Sequence, residues 1–245
     1  MISSVRAVTV GWENDDDCAQ SARGQDRVGD DVGMTPSRRV GPGAVALLLS
    51  SAFAAVAVLV ELRGAGGDTR ALMELHDLVG HTAHEALVAI DTLTDLLSLT
   101  IVAAVTLLGL LLASRRRDAV FFVVSVAGVW LFNPVIKDLF QRPRPDLWPS
   151  PMPASEFSFP SGHAANTAAL VVAIVLALPA GRWRMRASIV GVAAMIVVAF
   201  SQLALGVHYP SDILAGWLWA GAWVACVWGG TQPRAALLTQ AGRSR

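Results

Sequence analysis

Cysteine, lysine and tyrosine are nearly missing from this chain. Its 245 residues hold two cysteines, one tyrosine and a single lysine, Lys137. Cys18 and Cys226 lie in a polar tail and a late apolar run, so neither a disulfide framework nor a cysteine metal site is supported. Charge is scarce as well: 16% of residues are charged, against about 25% in an ordinary soluble domain, while 54% are hydrophobic. Formal net charge is zero, which gives nucleic acid no general attraction to the molecule. No internal repeat is present, and the joins between apolar runs are too short for a soluble domain.

What is present is apolar sequence in long pieces. Six stretches, 42–61, 94–114, 119–136, 163–180, 187–207 and 212–230, each approach the ~20 residues that cross a bilayer. The expected fold is therefore all-α: a polytopic membrane protein with a six-transmembrane-helix bundle over residues 41–231. Residues 1–40, with Asp15, Asp16 and Asp17 and no apolar period, cannot bury enough surface to offset their ordering entropy and read as a disordered tail. Met34 is an alternative start. Arg38 and Arg39 before an apolar run resemble a signal sequence, but the run is long and lacks a small-residue cleavage site, so it reads as an uncleaved anchor. Residues 232–245 form a second tail.

Arginine clusters orient the bundle. Arg115, Arg116 and Arg117 follow the second stretch, and Arg182, Arg184 and Arg186 follow the fourth. With six spans these share one side with both termini, and the positive-inside rule makes that side cytoplasmic. The opposite side receives Arg63, Arg70, Lys137, Arg142 and Arg144, the last three close together.

By the same parity three polar segments share the outer face. They are Lys137 to Pro145, Phe157 to His163, and Ser201 to Asp212. Polar groups at membrane helix ends are costly unless paired or functional. Cations, two histidines, an aspartate and a glycine at a helix entrance make an inventory for holding and cleaving a phosphate.

These segments resemble the three signature motifs of the type 2 phosphatidic acid phosphatase family, membrane lipid phosphate phosphatases related to vanadium haloperoxidases. Lys137 with Arg144-Pro145 matches K-x6-R-P, and Pro160-Ser161-Gly162-His163 matches P-S-G-H. Ser201, His208 and Asp212 match S-R-x5-H-x3-D. The resemblance covers roughly residues 119–230. It implies that His208 attacks phosphorus, with Asp212, one helical turn on, holding its other nitrogen, and that His163 protonates the leaving oxygen. Ser161 and the Gly162 amide would donate to phosphate oxygens at a helix start, and Lys137 and Arg144 would supply positive charge. No cofactor or metal is implied. The expected partners are a lipid phosphate or diphosphate and membrane lipids, with undecaprenyl diphosphate first and phosphatidic acid or phosphatidylglycerol phosphate next. The cell membrane is the expected location, with an extracytoplasmic active site. The oligomeric state is left open.

The pattern breaks at one place. The third motif normally begins Ser-Arg, and here Gln202 follows Ser201. A lost charge-assisted phosphate bond costs about 1.5–3 kcal/mol. Gln202 keeps an amide donor, and Arg142, in the same segment as Lys137 and Arg144, is a candidate to lend charge. The departure keeps a second reading open, a catalytically weak lipid-phosphate-binding or transport protein of the same fold. A vanadate-dependent peroxidase use of the pocket is disfavoured because those relatives are larger and soluble.

Other groups read as structural. His76, His81 and His84 fall on an amphipathic segment with Leu72, Leu75, Leu78 and Val79, and no cysteine or acidic cluster completes a metal site there. Asp91 and Asp95 read as helix-start solvation. Ser98, Thr100 and Thr106 read as helix-packing groups, and Trp217, Trp219, Trp223 and Trp228 as interfacial anchors and packing.

Overall fold

The computed structural model describes residues 40–79, 84–148 and 157–231. Both expected tails, Met34 and His81 lie outside the described residues. Eight helices follow in order among those described: α1 Pro42–Arg63, α2 Gly66–Val79, α3 His84–Leu93, α4 Leu96–Leu112, α5 Arg116–Phe140, α6 Gly162–Ala177, α7 Arg182–Ala204 and α8 Pro210–Thr231. Every apolar stretch expected to span is a helix, and the join between the first two contains α2 and α3.

Four of these helices, α1, α5, α7 and α8, are long and apolar enough to cross a membrane. Helices α3 and α4 pass the same test only when taken together, bent by 44° at their junction, which brings the number of crossings to four or five among the described residues. The remaining stretch forms α6, an apolar helix of 16 residues, about 24 Å at 1.5 Å per residue. The chain is a multi-pass membrane protein. Leu97, Ile101, Val105, Leu108 and Leu112 leave one face of α4 exposed, an arrangement that hydrocarbon satisfies and water does not.

Local sequence explains the boundaries. Pro42 opens α1 behind Gly41, where a missing N–H costs nothing. Asp95 caps α4, its carboxylate accepting from the Ser98 amide at 2.7 Å. Ser161 caps α6, its hydroxyl accepting from the Ala164 amide at 3.4 Å. Thr100 is exposed and Thr106 half-buried, and each donates its hydroxyl to a carbonyl one turn back in its own helix.

Helix α6 is the centre of the bundle, contacted by α4, α5, α7 and α8. Its buried side is mostly alanine: Ala164, Ala165, Ala168, Ala169, Ala173 and Ala177. Small residues let four neighbours approach a single helix closely, and Phe121, Phe122, Val126 and Val129 of α5 fill the space that results. The tryptophans of α8 serve packing here. The Trp223 indole donates to the Val124 carbonyl at 3.0 Å, and Trp228 meets Phe121 edge-on at 4.8 Å between ring centroids.

The two ends of the bundle differ in character. At one end Arg115 donates to the Ala177 carbonyl at 2.6 Å and to Asp118 at 3.0 Å, close to where the arginine-rich α7 begins. The other end gathers the close of α5, the start of α6 and the turn between α7 and α8.

Candidate active site

The α7–α8 turn carries the central group. Gly206 takes a positive φ of 68°, which lets the chain reverse after α7, and the Trp148 ring packs so tightly on it that a Cβ would fall 2.6 Å from the indole. Two residues later His208 is 1% exposed. Its Nδ1 lies 3.4 Å from Oδ2 of Asp212, and its Nε2 lies 3.3 Å from the Arg144 guanidinium. Arginine only donates, so the second contact requires a lone pair on Nε2. The proton is then on Nδ1, facing the carboxylate. Burial above all pushes the His208 imidazole down to about 4, and the nearby charges of Arg144 and Lys137 act in the same direction against the raising contact of Asp212.

Asp212, in the first turn of α8, is fully buried and heavily partnered. It accepts from the Tyr209 amide at 2.9 Å and from Arg142 at 2.5 Å, while its own carbonyl accepts from the Ser161 amide at 3.0 Å. The last bond joins the third motif to the second. Arg144 joins the first to the third by donating to the Val207 carbonyl at 2.7 Å. Lys137, in the last turn of α5, donates to the Phe157 carbonyl at 2.8 Å, and the Lys137 and Arg144 charges reach both His208 and His163. Ser161 is completely buried at the start of α6. A Cβ on Gly162 would meet the Asn133 amide at 3.5 Å. All three polar segments are therefore brought to one place.

Two expected phosphate ligands are otherwise engaged. Arg142 is buried and donates to Ser211 at 2.7 Å, to Asp68 at 2.8 Å and to Asp212, with its guanidinium 4.2 Å from the Tyr209 ring centroid. Gln202 is 1% exposed and donates its amide to Asp91 Oδ1 at 2.6 Å. The same oxygen lies 3.5 Å from His163 Nε2, an ion-pair approach longer than an aligned hydrogen bond.

Asp91 is therefore no solvated helix start. It is 4% exposed, and the capping falls to Asp95. Asp68 was not singled out in the sequence; its only signal is an acidic residue opening an amphipathic helix. Gly216 was also missed: a Cβ there would lie 2.8 Å from the Ser161 carbonyl oxygen, so α8 supports the start of α6 through a bare glycine. Of the histidines considered for metal, His76 stacks on Trp148 at 3.9 Å. Among the described residues no three His, Cys, Asp or Glu side chains cluster as a metal site would need.

Known proteins match the same region. Residues 118–235 match the family model of the PAP2 superfamily. The undecaprenyl-diphosphatase of Sulfolobus acidocaldarius is 29% identical over 126 residues, covering 49% of this chain and 58% of that protein. Phosphatidylglycerophosphatase B of Bacillus subtilis is 35% identical over 114 residues, covering 44% and 55%. Matches to these two relatives thus span a little over half their length. The decaprenylphosphoryl-5-phosphoribose phosphatase of Mycobacterium tuberculosis is 35% identical over 137 residues, 51% of this chain and 71% of that protein. In fold, the chain is similar to the crystal structure of a transmembrane PAP2-type phosphatidylglycerolphosphate phosphatase from Bacillus subtilis. The TM-score is 0.65 at 23% identity, over 76% of this chain and 95% of that one.

Proposed function

The chain belongs to the PAP2 superfamily, and on that premise we propose that it is a membrane phosphatase cleaving a lipid phosphomonoester or diphosphate through a phosphohistidine on His208. The observation that carries the proposal is the pair of contacts that His208 makes through its two ring nitrogens. A lone pair on Nε2 beside Arg144, with Nδ1 held against the buried Asp212, is the state a nucleophilic imidazole needs.

The steps follow from the residues present. Lys137, Arg144, the Ser161 hydroxyl and the Gly162 amide receive the phosphate oxygens, so positive charge and a helix start face the transferring group. Nε2 of His208 bonds to phosphorus as the phosphorus–oxygen bond to the lipid breaks. That electron pair goes to the lipid oxygen, which takes a proton from His163. Water then attacks the phosphohistidine and gives a proton back to His163, releasing phosphate and neutral His208. No step calls on a metal.

The relatives named above act on phosphate groups of membrane lipids by their names. A polyprenyl diphosphate such as undecaprenyl diphosphate is the first substrate to try, with phosphatidic acid and phosphatidylglycerol phosphate next. We place both termini in the cytoplasm and the site at the outer face of a cell membrane, with α1, the α3–α4 pair, α5, α6, α7 and α8 as six spans; the arginines at the opposite end of the bundle support this orientation. A second reading, a lipid-phosphate binder with weak catalysis, draws on Gln202, whose amide is committed to Asp91. Phosphate release from these lipids by purified protein and by His208→Ala separates the two. Release by wild type alone supports the enzyme, and binding without release supports the binder.

A further inference from the structure

Helix α3 precedes the region matched by the family model, which starts at residue 118, yet it is docked on the third motif. Leu87 packs against Ala204, Leu205 and Val207, and its carbonyl accepts from the Ser201 hydroxyl at 3.2 Å. One turn further along α3, Asp91 accepts from Gln202. Consecutive residues of α7 thus grip residues one turn apart on α3, and the second grip fixes a buried carboxylate 3.5 Å from His163.

We propose that Asp91 is the positioning residue of His163, and that Gln202, standing where the family pattern has arginine, holds Asp91 and not the substrate phosphate. This inference rests on the phosphatase reading above. A carboxylate in a buried setting is costly unless hydrogen-bonded and paired. Gln202 provides the hydrogen bond, and an imidazolium at position 163 provides the charge. That imidazolium is the form a general acid must hold until the phosphorus–oxygen bond breaks and the lipid oxygen accepts both electron pair and proton. Glutamine suits this task better than arginine. A neutral amide orients the carboxylate without neutralising it, whereas a guanidinium at 202 would satisfy Asp91 and compete with His163 for it.

A leaving-group comparison tests the proposal. Protonation matters when the departing oxygen is a poor leaving group and matters little when it is a good one. The substrates are dodecyl phosphate and a nitrophenyl phosphate carrying the same dodecyl chain, with full-length protein in detergent. For Asp91→Asn, the expected result is a kcat loss of about tenfold or more on the alkyl ester and less than about threefold on the aryl ester, with KM little changed on both. Gln202→Met, which removes the donor at similar volume, should show the same selective pattern more weakly. It also serves as the test if Asp91→Asn does not fold. An equal loss on both esters, or none on either, would overturn the role of Asp91. A raised KM on both esters in Gln202→Met would return Gln202 to the phosphate and overturn its part. Failure of wild type to release phosphate from either ester would instead defeat the phosphatase reading itself, before any variant is compared.

Discussion

The guanidinium of Arg142 reaches the carboxylate of Asp212 at 2.5 Å, with the two side chains 8% and 0% exposed. The same guanidinium binds Asp68 of α2 at 2.8 Å. An arginine from the first motif thus fixes the aspartate that orients His208, and α2 in turn fixes the arginine.

Truncating Arg142 should therefore damage both fold and chemistry. Removing one partner of a buried pair costs about 3–5 kcal/mol because the other charge is left uncompensated. Arg142→Ala is expected to lose stability on this scale in denaturant titrations and to lose most of its activity. Asp68→Asn, which leaves the Asp212 contact in place, should cost less. In the double variant the two losses should fall short of their sum. Strict additivity would mean that Asp68 does not act through Arg142.

Gly216 gives a second test that leaves every polar group in place. A Cβ at this position meets backbone, 2.8 Å from the Ser161 carbonyl oxygen and 3.1 Å from the Ala165 nitrogen. Gly216→Ala should cost about 1–3 kcal/mol by overpacking and displace the start of α6, lowering kcat/KM at least about tenfold as transition-state contacts lengthen. Gly109→Ala is the control, since nothing lies within 4 Å of its added Cβ. Equal activity in both variants would contradict the claim that α8 supports the turn proposed to bind phosphate.

The acid side of the pH profile follows from His208. With its imidazole held down to about 4 from an ordinary 6.5, the folded protein stays neutral there while an unfolded chain takes up a proton. His208 thus contributes stability that is fully present above pH 6.5 and is lost as pH falls toward 4. On the proposed mechanism His208 should remain able to attack phosphorus over the same window. The acid limb of kcat/KM, corrected for substrate ionisation, is expected near 4, and a limb near 6.5 would place His208 in a more solvated setting.

Much of this architecture was legible in the sequence because hydrophobic length and motif spacing report directly on single helices. All six apolar stretches are helices, and the three polar segments meet. What spacing does not report is which helix packs on which. Asp91 and Asp95 look equivalent as acids one turn apart, but Asp95 caps α4 while Asp91 turns inward to Gln202, more than a hundred positions away. Nor does spacing show that Arg142 has Asp68 as a partner or that Gln202 has Asp91. Helix α6, at 16 residues, is shorter than its apolar run suggests because the chain leaves the helix at Leu178, ahead of Pro179.

The most direct test of the account is a rapid quench of wild-type protein and His208→Ala after mixing with a lipid phosphate labelled in its phosphoryl group. Wild type should retain label on the protein that is stable in alkali and lost in acid, as a phosphohistidine is, and His208→Ala should retain none and release no phosphate. Phosphate release that persists in His208→Ala would contradict it.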